Sequence, residues 1–354
     1  MFTSLFFYME NLLEKMIKEE KSEELARLDA INIVNSLFSE LLDRERDILS
    51  RRFGLKGDKG ETLEKIGSLH KLTRERVRQI EAASIKKIKK LETLESSISV
   101  LKQTVQNLLS EHGGLIRRDY LLDILTVMAL EINNEANVDD PNYEKNCASY
   151  RNHFNFLISK LMGEELELVD NHDQFNPSFK LKTGEVNHLE ELADDLLSKI
   201  ETLKKTYTTE ELLDLLKKLD SYNKHQVKFG ESGQADISSV FKSKIFPDKA
   251  DLINNNKILY SLMQAVKNLE QNKYGEWGIA DWEEIKPKTV NDKIYLILKH
   301  ESKPLHFTEI AKRINEMKFD KKVANAATVH NELILDDRYV LISRGTYGLK
   351  EWSK

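Results

Sequence analysis

The residues with the clearest chemistry run from Thr73 to Glu81, in the order Thr-Arg-Glu-Arg-Val-Arg-Gln-Ile-Glu. Arginine can pair with guanine O6 and N7, glutamine with adenine N6 and N7, and glutamate can accept from cytosine N4. On a helix turning about 100° per residue, Val77, Ile80, Ser84 and Ile88 share one side. Glu75, Arg78, Gln79, Ala82 and Lys86 share the other, with Arg74 at its edge. Thr73 suits an N-cap, because its hydroxyl can accept an amide that the first turn leaves unpaired. Small Ala82 allows close approach to a groove floor. An ordinary solvated face of mixed charge is the plainer reading of such residues, and the segment upstream argues against it.

Two further elements must place that face. Thr62-Leu-Glu-Lys-Ile-Gly-Ser-Leu69 reads as a short amphipathic helix with its own Thr cap and apolar Leu63, Ile66 and Leu69. His70-Lys71-Leu72 bridges it to Thr73, so two capped helices meet across a tight turn, as in a helix-turn-helix. Before them, Leu42 to Leu49 and Arg52-Phe-Gly-Leu55 predict a helix that stops at Gly54.

With these pieces in place, residues 41–91 resemble region 4 of the primary-type bacterial sigma factors. The matching words are RERDILSRRFGL, TLEKIG and LTRERVRQIEAASIKKIKKL, in that order, over about a seventh of the chain. The resemblance implies a module that reads the −35 promoter element and docks on the flap of the polymerase β subunit. It implies base contacts by Arg74, Glu75 and Gln79, and phosphate or groove-rim contacts by Arg52, Thr73, Arg76, Arg78 and Lys86. Two positions depart from the pattern. Ala83 stands where a basic residue is common, and Lys71 where a turn usually has Gly, Asn or Asp. A left-handed Lys71 would cost roughly 1–2 kcal/mol, which the fold can tolerate.

Only about forty residues precede this match, and they contain no aromatic-rich helix of the kind that melts the −10 element. Met9 to Leu42 reads as charged helical sequence with apolar Leu12, Leu13, Met16, Leu25, Leu28, Ile31, Ile33 and Val34. The leading MFTSLFFY is too short for a signal peptide and lacks its basic start; the natural start is Met1 or Met9. A regulator that reuses a promoter-reading part is therefore expected, rather than a stand-alone initiation factor.

Composition agrees. The 354 residues allow two to four domains, and 32% charged residues with only five prolines favour helices. A single cysteine, Cys147, excludes a disulfide framework and fits a reducing cytosol. No apolar run reaches the roughly 18–20 residues of a membrane span. The net charge of −5 argues against general coating of nucleic acid. Residues 71–90, however, carry eight Lys or Arg against two Glu, a local patch that attracts phosphate. A cytoplasmic, nucleoid-associated protein is expected.

The C-terminal part predicts a winged helix. Ile294 to Leu298 lies in one helix, Thr308 caps a second with Ile310, Ala311, Ile314 and Met317 on one face, and Thr328 to Ile334 forms a third. Arg338 to Ile342, a turn at Gly345, and Tyr347 to Lys350 form a β-hairpin. The words PLHFTEIAKRIN and ATVHNELILDDRYVLISRGTYGLKEW, within residues 289–354, resemble the HARE helix-turn-helix family. That family includes the N-terminal domain of the delta subunit of Gram-positive RNA polymerase. Lys321, Lys322, Arg338 and Arg344 are the expected contacts there, to DNA or to protein.

The middle repeats the plan. EHGGLIRRDYLLDIL within Leu108–Leu125 starts a helix-turn-helix, Phe154 to Leu161 gives a third helix, and Leu166–Val169 with Phe179–Lys182 a hairpin. Acidic, Asn-rich Glu131 to Asn146 reads as an inserted loop. A second copy runs from Leu192 through Tyr207–Leu213 and Tyr260–Leu269 to Tyr274–Trp282, with residues 221–256 as a polar insertion holding Lys224, Lys228, Lys242, Lys244 and Lys249. Gly275-Glu-Trp-Gly-Ile-Ala-Asp-Trp282 and Gly345-Thr-Tyr-Gly-Leu-Lys-Glu-Trp352 share one pattern, as repeated units do. The expected organisation is an N-terminal helical segment (1–40), the sigma-like module (41–95), winged helices at 96–184 and 185–288, and the HARE-type domain (289–354). The fold class is mostly α, with small β-hairpin wings.

Catalysis has no support: no HExxH, Gly-rich phosphate loop or metal-spaced Cys/His cluster occurs. His172-Asp173 and Asp139-Asp140 read as turn residues, His330 as a helix-surface or core residue, and Trp277, Trp282 and Trp352 as packing residues rather than base-stackers. The expectation is a non-enzymatic transcription regulator with no cofactor, metal, membrane or small-molecule substrate. Its partners are promoter DNA and the polymerase flap. Two alternatives stand beside it. One is a polymerase-binding protein that competes with sigma without reading DNA. The other is a DNA-specificity component of a restriction-modification type system.

Overall fold

A computed structural model of the chain describes residues 28–229, apart from 134, 136 and 138, and residues 250–353. The expectations for Met1 to Arg27 and for Lys242, Lys244 and Lys249 lie outside the described residues. The chain divides into two compact units, one holding residues up to 186 together with 228–265, the other 187–227 and 266–354. The class is as read: mostly α, with helix-turn-helix and winged-helix parts.

In the first unit, α1 (Ala30–Phe38) starts at Asp29, whose carboxylate accepts the amides of Ile31 and Asn32, both at 3.0 Å. It buries Ile33, Val34, Leu37 and Phe38. Next come α2 (Asp43–Phe53), α3 (Leu63–His70) and α4 (Arg74–Ile88). The first winged helix comprises α5 (Leu94–Glu111), β1 (Leu115–Arg117), α6 (Arg118–Ile132), α7 (Tyr143–Phe156), β2 (Leu166–Val169) and β3 (Ser178–Leu181). A π-helical stretch, Leu157–Leu161, extends α7. The third helix therefore starts eleven residues before the expected Phe154, and the inserted loop is shorter than Glu131–Asn146. Tyr150, buried on α7, extends the apolar face of Phe154 toward the N-terminus.

In the second unit, α8 (Asn187–Leu203), α9 (Thr209–Leu216) and α10 (Asp220–Lys224) lead to the middle hairpin. Between them in sequence, α11 (Ala250–Asn254) and α12 (Lys257–Ala265) belong to the first unit. The hairpin is β4 (Leu269–Gln271) with β5 (Trp277–Ile279). The last winged helix is α13 (Val290–Glu301), β6 (Leu305–His306), α14 (Phe307–Met317), α15 (Ala326–Leu335), β7 (Tyr339–Ser343) and β8 (Thr346–Leu349). Its core joins Ile297 of α13, Ile310 and Ile314 of α14, and Val329 and Leu333 of α15 to Leu349. Each such side chain contributes about 1.5–3 kcal/mol on burial. The cap of α14 is His306 rather than Thr308, because the imidazole Nδ1 faces the Thr308 amide at 3.4 Å and its hydroxyl at 2.7 Å.

The sheets have a strand more than the hairpins read from sequence. Both outer winged helices pair their first short strand with the last, in the orders β1-β3-β2 and β6-β8-β7. In the middle copy that strand shrinks to one bridge, Tyr207 with Trp277, closed by amide bonds of 2.9 and 2.7 Å. Strands of two or three residues carry no alternation that sequence can display. The repeated glycine–tryptophan pattern has a structural meaning. A Cβ on Gly278 would stand 3.0 Å from the ring of Trp282, and one on Gly348 3.2 Å from that of Trp352, so each indole lies over a strand glycine. Trp277 is core, its indole N–H donating to Thr209 at 2.9 Å.

In the first unit α12 is buried nearly all round. Its Ser261 hydroxyl donates to the Leu115 carbonyl at 2.8 Å, and Lys257 pairs with Glu111 at 3.0 Å. Beside it, fully buried His112 donates from Nδ1 to the Leu108 carbonyl at 2.7 Å, while Nε2 meets no hydrogen-bonding partner. Burial pushes this imidazole down to about 4. The native state therefore holds it neutral, whereas the unfolded chain takes up its proton near 6.5. Stability from this site is full above pH 6.5 and falls as pH drops toward 4, by on the order of 2–3 kcal/mol. Denaturant unfolding of wild type and His112→Gln between pH 7.5 and 4.5 checks this. The wild type should lose more stability on acidification than the variant, and parallel curves would refute the assignment.

Candidate nucleic-acid interface

The helix-turn-helix is held by three fully buried side chains, Ile48 of α2, Ile66 of α3 and Val77 of α4, with Leu63, Leu72 and Ile80 packed around them. Thr62 and Thr73 cap their helices as expected, accepting the amides of Lys65 and Arg76 at 3.2 Å each. The connection is tight. Lys71 adopts the left-handed region (φ 54°, ψ 45°), and the Leu72 amide returns to the Gly67 carbonyl at 2.8 Å. A Cβ on Gly67 would lie 2.7 Å from the Leu72 carbonyl oxygen. Asp47 of α2 contacts the His70 ring at 2.9 Å, and Arg44 donates to the His70 carbonyl at 2.8 Å, so the turn is tied down from behind.

This frame leaves the outer face of α4 open. Arg74, Glu75, Arg76, Arg78, Gln79, Ala82 and Lys86 are exposed, while Val77, Ser84 and Ile88 are buried. The face is organised before any partner arrives. Arg78 grips Glu75 with two bonds of 2.9 and 2.6 Å, and Arg76 donates to Gln79 at 3.2 Å. Arg78 holds the Glu75 carboxyl below the usual carboxylate range. Arg74 and Lys86 make no hydrogen bond or ion pair with any described residue, though the Arg74 charge is felt by the neighbouring Glu75 carboxylate. Thr73 can still donate its hydroxyl proton while its oxygen caps the helix.

Arg52 sits apart from this group. Its guanidinium donates to the Glu61 carbonyl at 3.1 Å and lies 3.4 Å from Glu81, linking α2 to α4 from within the module. Lys71, Lys89 and Lys90 are exposed cations at the two ends of α4 that the motif comparison did not single out. Their signal was the local charge count. In the last winged helix, Lys321, Lys322 and Arg344 are exposed. Arg338 is engaged in the fold: it pairs with Asp336 at 2.9 Å, donates to Asn291 at 3.1 Å, and lies over the Tyr295 ring at 5.2 Å. Its grip holds the Asp336 carboxyl at about 2.

Behind the module lies a contact that sequence did not reveal. Asn152 of α7 donates to the carbonyls of Gly54 and Asp58 at 2.7 and 3.0 Å, and Ser149 to that of Leu55 at 3.2 Å. Phe156 packs on Phe53 and Phe38, with ring centroids at 4.9 and 5.6 Å. Gly54 is left-handed (φ 65°), as its place at the end of α2 predicts. The third helix of the first winged helix thus braces the back of the helix-turn-helix.

Among the described residues no group of three His, Cys, Asp or Glu side chains is arranged to hold a metal. No described helix is long and apolar enough to cross a membrane.

The turn gives two expected outcomes. Gly67→Ala should lower stability by about 1–3 kcal/mol through overpacking, although Ala is the better helix former. Lys71→Gly should raise it by up to about 1 kcal/mol by relieving the left-handed strain. Urea unfolding of both variants measures this; a neutral Gly67→Ala would mean that the turn is looser than described.

Comparison with known proteins places these parts. Residues 37–90 match the family described as Sigma-70, region 4. Residues 288–352 match the HARE-HTH family, a helix-turn-helix domain whose description names ASXL and restriction endonuclease. The RNA polymerase sigma factor SigA of Microcystis aeruginosa is 43% identical over 70 residues, 20% of this chain and 16% of that protein. SigA of Lactococcus lactis subsp. cremoris is 48% identical over 54 residues, 15% of each. The chain thus spans less than a fifth of the curated relatives it matches. No solved structure matches it. One polypeptide therefore carries a segment that matches sigma region 4 and a segment that matches the HARE-type helix-turn-helix.

Proposed function

We propose that the chain is a transcription regulator that reads −35-like promoter DNA in the major groove through α4. The observation that carries this reading is the uncovered outer face of α4, set on a module braced from behind by α7. Arg74, Glu75 and Gln79 reach base edges. Thr73, Arg76, Arg78 and Lys86 hold phosphates, helped by Lys71, Lys89 and Lys90. Arg52 acts from behind, keeping α4 at its angle to α2. In the last winged helix Lys321, Lys322 and Arg344 remain available to a nucleic-acid backbone, and Arg338 keeps its structural role.

A second role, docking on the polymerase flap, has one observation in its favour. Leu42 and Leu69 are exposed apolar side chains of the module. The Phe38 and Phe53 rings are already covered by Phe156, which narrows the area a protein partner could use. DNA reading is therefore placed first.

Gel-shift titration of the full chain on a −35-like duplex tests it. Arg74→Ala and Gln79→Ala should each cost about 1–3 kcal/mol on the preferred sequence and relax its preference. Lys86→Ala should weaken binding to all sequences alike and reduce the salt slope by about one. Glu75→Ala should loosen specificity while raising affinity for random DNA, because it frees Arg78 for phosphate. Unchanged affinity and preference in the Arg74 and Gln79 variants would refute base reading by α4.

A further inference from the structure

The third helix of a winged helix is the element placed to enter a groove, yet in the first copy it is turned onto protein. α7 lies along the loop that leaves α2. A Cβ on Gly57 would stand 2.9 Å from the Lys145 carbonyl oxygen of α7. Further along the helix, Ser149 takes the carbonyl of Leu55, and Asn152 those of Gly54 and Asp58. Asn152 spends its amide nitrogen on both bonds. Only that nitrogen can face two carbonyl oxygens, so the chemistry fixes which way the amide points.

From this loop a line of contacts runs to α4. A Cβ on Gly60 would lie 2.5 Å from the Arg52 carbonyl oxygen, and the Glu61 amide donates to the Arg51 carbonyl at 2.9 Å, so the loop folds back tightly on the end of α2. The Arg52 guanidinium donates to the Glu61 carbonyl at 3.1 Å and lies 3.4 Å from the largely covered Glu81 carboxylate of α4. Glu61 also meets Lys65 of α3 at 2.8 Å, and its neighbour Thr62 caps that helix. All three helices of the module are thus tied to one loop, and Asn152 holds that loop.

We infer that Asn152 is a positioning residue for sequence discrimination: acting through the loop rather than on DNA, it fixes the angle at which α4 meets base edges. The inference rests on base reading by α4 and names the residue outside the module that controls it. Contacts to phosphate set orientation and carry no sequence information, whereas contacts to base edges demand narrow geometry. A loosened loop therefore costs preference and leaves general affinity in place.

Gel-shift titration of the full chain on a −35-like duplex and on a scrambled duplex of equal composition, at several salt concentrations, tests this. Where the wild type prefers the first by at least about tenfold, Asn152→Ala should fall to within roughly threefold. Its affinity for the scrambled duplex and its salt slope should stay as they are, because the phosphate contacts remain. Asn152→Asp, of the same size, should fall as far, since its carboxylate meets two carbonyl oxygens. Asn152→Gln keeps the amide and should recover part of the preference. A merely structural role would lower the folded fraction and scale both affinities together, leaving their ratio intact. Should Asn152→Ala not fold, Ser149→Ala gives up only the bond to Leu55 and should show an intermediate ratio. A ratio unchanged in the folded variants overturns the inference and leaves base reading by α4 standing. A salt slope that falls together with the preference also overturns it, because phosphate contacts would then be lost as well. Equal affinity of the wild type for the two duplexes overturns base reading, and the inference with it.

Discussion

The brace behind the helix-turn-helix is the constraint on which the placement of the α4 outer face depends. A module of three short helices around Ile48, Ile66 and Val77 has little core of its own, and small cores are marginal. The Asn152 amide donates to two backbone carbonyls of the Gly54–Asp58 loop, that of Asp58 and that of Gly54, which also accepts the Gly57 amide at 3.0 Å. Phe156 then fills the space between Phe38 and Phe53. With its back fixed in this way, α4 presents its outer face from a rigid support. Rigid placement matters because bidentate base contacts tolerate little angular error.

The electrostatics of that face follow from the same economy of space. Glu75 and Arg78, three residues apart, neutralise each other when the site is empty. Both are exposed, so the pair adds little stability. In the proposed reading its effect is on recognition: an acid among cations would lower affinity for arbitrary phosphate and keep an acceptor ready for cytosine. Arg74 and Lys86 make no hydrogen bond or ion pair with described residues, and in the proposed reading they would supply the steady attraction. The chain as a whole is acidic at −5, so the cationic character of this face is local.

Much of this was legible in the residues themselves. Caps at Thr62 and Thr73, the stop at Gly54, and the split between the Val77 and Gln79 faces of α4 are local properties that sequence displays directly. The last wing hairpin was legible through its turn glycine, Gly345, and the middle one through the same pattern at Gly275. What was hidden is tertiary. Asn152 bonds to residues 94 and 98 positions away, and nothing in its neighbourhood distinguishes it from a surface asparagine. Arg52 and Arg338 were expected as contacts because the distant partners that engage them, Glu81 and Asn291, become neighbours only on folding, while the Asp336 beside Arg338 in sequence gave no sign of its grip. The extra strands β1 and β6 are too short to leave a pattern. The reuse of third helices as struts needs the packed structure to be seen, since α7 and α15 read from sequence as equivalent elements.

The most direct measurement is the ratio of affinities of the full chain for a −35-like duplex and for a scrambled duplex of equal length and composition, at one fixed salt concentration. Base reading by α4 predicts a preference of at least about tenfold for the −35-like duplex. Equal affinity for the two would contradict it, leaving α4 as a face that holds phosphate without reading sequence.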